Sequence, residues 1–488
     1  MAVTDPRSTL GAPLLPPVTV GREAAGYHPR PAPVLVGKRM RLFGFLLTLP
    51  LLYLLVSYGK VEGKLPVQPG SGAAGAARGR VLASDGSVLA GSISQPKAMP
   101  WDVTPRSYPL ASLAGQVVGF ANNDGGLDGI EHFLNARLAG GQDVRLTIDP
   151  SFQAAAEAAL EKAVIEKKGK HGTAVAIEVG TGRVLAVANY PRFNPSRWQE
   201  YDPGTRGNRA FQALYEPGST IKALVAAALI NEGAARPTTR IETLMWRQVP
   251  GKVIRDAVKH PETLDLSGIL RYSSNVGISI LAERIGPEKL HHYLSAYGFG
   301  QAPEVEGAYT AKGIVHDWRT WRPTTFANAS FGQGFASSTL QLAAAFSVLA
   351  NDGVMVPPRI VEGAASGKAR RVLSASAAQE TRVMLRDAIE EGLKHQTIAG
   401  YCFGGKTGTA QVVVNGRYSH EVYDAVFAGF FPCAKPRVAM AVQVHAPSGS
   451  QYHGSQVALP AFRQIAQEVL AHWGVTPDMP LPEKEGGR

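Results

Sequence analysis

The chain has 488 residues, 45% of them hydrophobic and 18% charged, which excludes an intrinsically disordered protein and leaves room for a sizeable core. With 50 Lys and Arg against 39 Asp and Glu, the net charge of +11 favours an anionic neighbour: nucleic acid, a membrane surface or an acidic polymer. Two cysteines exclude a disulfide-stapled mini-domain and leave no CxxC zinc pattern.

Residues 1–37 hold seven prolines and only two acids, the composition of a disordered tail. Lys38-Arg39-Met40-Arg41 then introduces Leu42 to Tyr58, a run without charge. As a helix it would span about 25 Å, close to a bilayer core of about 30 Å. No small-x-small cleavage site follows at Gly59-Lys60-Val61-Glu62, so 38–59 is expected to be an uncleaved transmembrane anchor. Positive charge before the run places the N-terminus in the cytoplasm and the remainder outside, which argues against nucleic acid as partner. Residues 60–77 read as a flexible spacer.

Segment 78–148 is small and β-rich, with Arg80-Val81-Leu82 before a turn at Asp85-Gly86. An Ala-rich helix is expected from Gln153. Thr173–Ile177 and Val184–Ala188 flank Val179-Gly180-Thr181-Gly182-Arg183, a hairpin signal. The following stretch of over 200 residues reads as helical with Gly and Pro breaks. Strand character returns at Gly405–Val414, Ala425–Phe431 and Val438–Val444. Phe462, Ile465, Ala466, Val469 and Trp473 then form one apolar helical face. Strands first, helices in the middle and strands last predict one large domain, 149–475, whose sheet joins both sequence ends, followed by a loose tail, 476–488.

Pro217-Gly218-Ser219-Thr220-Ile221-Lys222 opens the apolar helix Ala223–Ile230. Positions i and i+3 share a helix face, so Ser219 and Lys222 meet in one small volume. The serine would sit among free N–H groups at a helix start, and a desolvated lysine beside it could act as its base. The same spacing occurs at Ser57/Lys60 and Ser94/Lys97, but neither pair opens an apolar helix. Further along come Ser273-Ser274-Asn275, the only Ser-x-Asn, and Lys406-Thr407-Gly408-Thr409, the only Lys-Thr-Gly. Gly408 at a strand start would let a substrate approach the backbone closely. Taken singly, the first is an ordinary helix-break cap and the second an ordinary polar strand edge.

Their order resembles the penicillin-binding proteins and serine β-lactamases, whose S-x-x-K, S-x-N and K-T-G elements line one cleft. Arg78-Gly79-Arg80-Val81, Asp85-Gly86 and Leu89-Ala90 are similar to the start of the pedestal of monofunctional (class B) penicillin-binding proteins. Arg106-x-Tyr108-Pro109, Gly126-Leu127-Asp128-Gly129-Ile130-Glu131 and Leu146-Thr147-Ile148-Asp149 are similar to later pedestal signatures. Phe331-Gly332-Gln333-Gly334 and Ala428-Gly429-Phe430-Phe431-Pro432 also resemble that family, so the likeness covers most of 78–473. It implies an α+β fold: a helical subdomain on a mainly antiparallel sheet, above a pedestal that is short between Ala90 and Arg106. The segment from Phe120 to Glu131 and Ala329–Gly334 look more like the division-type (FtsI-like) branch than the elongation type.

The resemblance implies a membrane-anchored peptidoglycan D,D-transpeptidase. Ser219 would attack the penultimate D-Ala carbonyl of a D-Ala-D-Ala stem peptide, with Lys222 as base. Ser273 would relay a proton to the leaving D-alanine, and Asn275 would orient Lys222 and the substrate amide. Lys406 would supply positive potential, Thr407 and Thr409 would hold the terminal carboxylate with Gly408 between them as part of the substrate-binding segment, and the backbone N–H groups of Ser219 and Thr409 would form the oxyanion hole. No metal or cofactor is implied. The implied partners are stem peptides, β-lactam antibiotics, and a SEDS-family glycan polymerase with other divisome or elongasome proteins of the cytoplasmic membrane; the catalytic domain would lie on its outer side. Rival readings are a D,D-carboxypeptidase or β-lactamase on the same fold, or a non-catalytic scaffold or penicillin sensor.

Glu131-His132-Phe133-Leu134-Asn135 resembles the deacylating-water motif E-x-x-L-N of class A β-lactamases. It precedes Ser219 where that motif should follow the S-x-N element, and is therefore assigned to the pedestal. Penicillin should accordingly acylate Ser219 and stay. A turn at Asn415-Gly416-Arg417 would set Cys402 opposite Cys433, either as a disulfide or as two buried small hydrophobes. The 12 histidines, His291-His292 included, read as surface or packing residues.

Overall fold

The computed structural model describes residues 77–93, 105–365 and 367–479. The expected tail 1–37, the anchor 38–59, all but the last residue of the spacer, and residues 480–488 lie outside them, as do Ser57/Lys60 and Ser94/Lys97. No helix among the described residues is long and apolar enough to cross a membrane.

The pedestal segment builds a four-stranded sheet from β1 (Val81–Leu82), β2 (Val88–Ser92), β3 (Arg106–Ser107) and β4 (Val144–Arg145), in the order β3-β2-β1-β4. Between β1 and β2 the chain reverses at Asp85-Gly86: Asp85 Oδ1 accepts the Ser87 N–H at 2.8 Å, and Gly86 takes φ 93. The separate pedestal signatures converge on Glu131, whose side chain is fully buried. Arg78 Nε donates to one of its oxygens at 2.8 Å and Arg106 Nε to the other at 2.6 Å. Asn135 Oδ1 accepts from Arg78 and from the Gly126 N–H. Both carboxylate oxygens of the E-x-x-L-N look-alike are thus committed to structural ion pairs.

The helix expected from Gln153 begins earlier, as α1 (Pro150–Glu166), because Asp149 caps it by accepting the Ser151 and Phe152 N–H groups and Pro150 suits the first turn. The predicted hairpin follows as β5 (His171–Glu178) and β6 (Val184–Tyr190). After α2 (Ile221–Asn231) the sequence reading departs from the structure: β7 (Trp246–Val249) and β8 (Lys252–Arg255) form a hairpin inside the region expected to be helical. Four-residue strands are too short for alternation to stand out from a helical period, although Pro250-Gly251 marks the turn. Helices α3 (Leu266–Tyr272), α4 (Asn275–Ala282), α5 (Thr339–Ala350) and α6 (Ala375–Gly392) complete the parts of this region used below. The chain then returns to strands β9 (Gly404–Val414), β10 (Arg417–Phe431) and β11 (Val438–His445), and to helix α7 (Ala458–His472).

These strands form one antiparallel sheet in the order β9-β10-β11-β5-β6, in which β11 pairs with β5 and joins the two ends of the domain. Successive residues of a strand face opposite sides. Ala425, Phe427 and Phe431 of β10 therefore pack with α1 and α7, while Val426, Ala428 and Phe430 pack into the core that contains α2 and α5. Burial on both faces explains the unbroken apolar runs in the central strands. Phe462 of α7 anchors one side, with ring centroids 4.7 Å from Phe427 and 5.7 Å from Phe431; burying such a side chain is worth roughly 2–3 kcal/mol. The other core runs without a break from Val81 and Leu89 to Ala441, so segment 78–148 packs as part of the same body as the large domain.

Removing Glu131 leaves two guanidinium groups without their shared anion in a buried site. Glu131→Ala should lower unfolding stability by about 3 kcal/mol or more, read by chemical denaturation.

Candidate active site

The turn Gly218–Thr220 is 3₁₀ and runs directly into α2, which puts Lys222 one turn above Ser219. Lys222 is fully buried, with Nζ 2.9 Å from Ser219 Oγ, 2.5 Å from the Ser273 carbonyl and 3.2 Å from Ser273 Oγ. Burial first, and then the charge of Lys406, hold its pKa well below the ordinary lysine value; Asp256 opposes them. Ser273 closes α3 in the left-handed region at φ 58, which turns its carbonyl toward Lys222.

Lys406, near the start of the edge strand β9, is 4% exposed and donates to Ser273 Oγ at 3.1 Å and to the Thr407 carbonyl at 3.1 Å. Burial lowers its pKa to about 7. The Ser273 hydroxyl therefore stands between two amines. Thr407 Oγ1 lies 3.4 Å from Lys406 Nζ, and Thr409 Oγ1 accepts the Gly454 N–H at 3.1 Å. Thus three segments far apart in sequence, carrying Ser219 with Lys222, Ser273, and Lys406, are linked by hydrogen bonds, with Thr407 and Thr409 on the same strand as Lys406.

Two residues differ from their expected settings. Asn275, the first residue of α4, donates its amide to the Arg255 carbonyl at 2.9 Å and makes no hydrogen bond to Lys222. A Cβ on Gly408 would lie 2.8 Å from the Pro217 carbonyl and 3.2 Å from Thr220 Cγ2. The close approach at Gly408 is therefore made by the turn that carries Ser219. Gly332 also meets this turn closely: at φ 85, its added Cβ would fall 2.0 Å from the Gly218 carbonyl oxygen, and its own carbonyl accepts the Gly218 N–H at 3.0 Å. The Phe331–Gly334 signature is a seat for the Ser219 turn.

Sequence reasoning missed Asp256 and Glu216. Asp256 accepts the N–H groups of Asn275 and Val276 and the Ser274 hydroxyl, and no spacing pattern announces it. Glu216 accepts the Gly334 N–H at 2.8 Å and the Tyr418 hydroxyl at 2.9 Å; burial raises its pKa, and its second oxygen is buried without a partner. A cavity of about 460 Å³ opens beside it, lined by Tyr215, Phe335, Gln411, Val413 and His445 among others. It follows the far half of β9, and neither Ser219 nor Lys222 lines it.

Residues 172–467 match the penicillin binding protein transpeptidase domain. The chain belongs to the penicillin-binding protein transpeptidase family. It is 34% identical over 408 residues to the probable peptidoglycan D,D-transpeptidase PenA of Neisseria meningitidis, an alignment covering 77% of this chain and 70% of the relative. It is 30% identical over 404 residues to the peptidoglycan D,D-transpeptidase FtsI of Escherichia coli, covering 76% and 68%. The crystal structure of penicillin-binding protein 3 from Mycobacterium tuberculosis superposes with a TM-score of 0.76 at 32% identity, covering 83% of this chain and 98% of that one. These relatives place this penicillin-binding protein in the class B branch, as its pedestal signatures implied.

A lysine titrating at about 7 is charged below that pH and neutral above it. With Lys406 as the cation expected to face the carboxylate of the drug, acylation of this penicillin-binding protein by benzylpenicillin should weaken as pH rises through about 7. Lys406→Arg, whose guanidinium stays charged, should carry the plateau to higher pH in the same rate measurement.

Proposed function

We propose that Ser219 of this D,D-transpeptidase attacks the penultimate D-Ala carbonyl of a stem peptide ending in D-Ala-D-Ala. The observation that carries this reading is the buried Lys222 Nζ, 2.9 Å from Ser219 Oγ, with no carboxylate among its hydrogen-bond partners. Neutral Lys222 takes the hydroxyl proton as the new C–O bond forms. The backbone N–H groups of Ser219 and Thr409 receive the oxyanion, an arrangement typically worth about 3–4 kcal/mol per donor. The peptide C–N bond then breaks, and Ser273, between Lys222 and Lys406, relays a proton to the departing D-alanine. An amine from a second strand attacks the acyl-enzyme, forms the cross-link and frees Ser219.

In this reading Thr407 and Thr409 hold the terminal carboxylate under the positive potential of Lys406, and Asn275 swings from Arg255 toward the substrate amide. As an edge strand, β9 presents backbone groups that the sheet does not pair, and an extended peptide can lie along them. Two residues past Thr409 such a peptide reaches Gln411 and the cavity beside it. The same attack opens a β-lactam ring; the Mycobacterium tuberculosis relative is solved in complex with aztreonam and with ampicillin.

The reading extends to the cell envelope. The uncharged run Leu42–Tyr58 behind three cations supports an anchor at 38–59, with the N-terminus in the cytoplasm. Residues 60–77 are then the spacer, 78–148 the pedestal and 149–475 the catalytic domain outside the membrane. A SEDS-family polymerase and other divisome proteins are the proposed neighbours, and the kinship with FtsI favours division over elongation. Cys402 and Cys433 form a disulfide that braces the root of β9: their Cα atoms are 5.3 Å apart, and the Cys433 N–H donates to the Cys402 carbonyl at 3.1 Å.

Fluorescent penicillin should label the wild type and fail to label Ser219→Ala, and Lys222→Met should slow labelling roughly a hundredfold or more; labelling unchanged in Ser219→Ala would overturn the assignment. Product analysis with stem peptides should show cross-linked dimers, whereas release of D-alanine alone would indicate a carboxypeptidase. For the disulfide, thiol titration of the denatured protein should find free thiols only after reduction; equal counts with and without reductant would exclude the bond.

A further inference from the structure

Resting on that reading of Ser219, Lys222 and Ser273, we propose that Asp256, held by His260, is a positioning residue that sets the Ser273 carbonyl and hydroxyl on Lys222. Asp256 follows β8 directly, and its side chain is 1% exposed. Its Oδ1 accepts the N–H groups of Asn275 at 2.5 Å and Val276 at 3.0 Å, two of the unpaired donors at the start of α4. Its Oδ2 accepts the Ser274 hydroxyl at 2.5 Å and His260 Nε2 at 2.8 Å. The His260 ring is 0% exposed, and its other nitrogen lies 2.8 Å from the Pro261 carbonyl, so the imidazole spans two oxygens and fixes the carboxylate in place. The same ring packs against Tyr272, with centroids 6.1 Å apart.

Asp256 and His260 thus grip every residue from Tyr272 to Val276 except Ser273. That residue is a non-glycine in the left-handed region, a conformation that persists only where its surroundings over-determine it. With both flanks held, Ser273 presents its carbonyl at 2.5 Å and its hydroxyl at 3.2 Å to Lys222. Ser274 has its own task in the arrangement, since its Oγ accepts the Gly277 N–H at 2.8 Å and caps α4. Asp256 also acts through its charge. Among the charged groups acting on Lys222, Lys406 drives its proton off, whereas Asp256 favours keeping it.

The test measures the acylation rate of the full-length chain by fluorescent penicillin across pH, with the melting temperature alongside. Asp256→Asn keeps Oδ1 as an acceptor for the α4 turn but removes the charge. It should slow acylation roughly tenfold or more. Its acid limb should also move to lower pH, because Lys222, without the nearby anion, gives up its proton more readily. A wild-type rate with an unmoved limb would overturn the proposal, and so would a slower rate that tracks a lowered melting temperature while the limb stays in place. If Asp256→Asn folds poorly, His260→Gln reads the same device: slower acylation by a stably folded protein supports it, and a wild-type rate overturns it. Ser219→Ala separates the two readings. Labelling that survives there removes both the nucleophile and the role of Asp256, whereas a blocked Ser219→Ala with a wild-type Asp256→Asn profile removes only the latter.

Discussion

A buried amine keeps its proton when a carboxylate stands against it, and Lys222 has none within hydrogen-bond reach. Its polar neighbours are the Ser219 hydroxyl and the carbonyl and hydroxyl of Ser273, all neutral. Desolvation and the nearby Lys406 then both favour the free amine. A serine hydroxyl is a weak nucleophile, and in the proposed mechanism the neutral amine 2.9 Å away serves as its base. The arrangement works only while water stays out and the three groups keep their spacing, so the remaining architecture can be judged by how it meets those two demands.

Exclusion of water comes from the helical core: every residue of α2 from Ile221 to Leu229 is buried, Lys222 included. Spacing comes from backbone contacts too close for any side chain. Gly332 packs against Gly218, Gly408 packs against Pro217 and Thr220, and Gly454 in turn packs against Gly408 and Val426, its added Cβ falling 2.3 Å from the Gly408 carbonyl oxygen. Four segments distant in sequence are thereby stacked backbone to backbone. Because β10 and β11 are buried on both faces, the edge strand β9 is fixed to a sheet that cannot shift without opening two cores at once. Lys406 can therefore approach Ser273 at hydrogen-bond distance while sharing no local sequence with it.

The legible parts of the sequence were those where chemistry or periodicity is local. Ser219 and Lys222 share a helical turn, the apolar runs of β10 and β11 are long, and the Asn415-Gly416 turn carries the positive φ values of 52 and 76 that a two-residue hairpin needs. What escaped depends on partners brought together by the tertiary fold. Asp256 has no motif because its donors belong to a helix start that follows only after α3. The β7–β8 hairpin is too short to show its period. Asn275 was placed in the right segment, but composition cannot decide whether its amide reaches a lysine or the Arg255 carbonyl. The sequence suggests that a substrate approaches Gly408, whereas the group that does so is the Pro217 carbonyl, which only the packing brings there.

Glu131 shows how context decides the meaning of a pattern. A glutamate that activates water must keep an oxygen free to take a proton; one gripped at both oxygens by Arg78 and Arg106 does not. Its five-residue pattern is the same in either role, and the difference lies in two arginines from separate segments. Those arginines also tie the pedestal sheet together, since Arg78 precedes β1 and Arg106 opens β3. From that sheet the hydrogen bonding continues into the large domain: the Thr147 N–H donates to Ile360, and the Thr147 hydroxyl donates at 2.6 Å to the carbonyl of Val184, the first residue of β6. The segment that leaves the pedestal is thus bonded to the far edge of the sheet whose opposite edge is β9. The pedestal is therefore hydrogen-bonded directly to the catalytic sheet, and the ion pairs around Glu131 tie its own segments together.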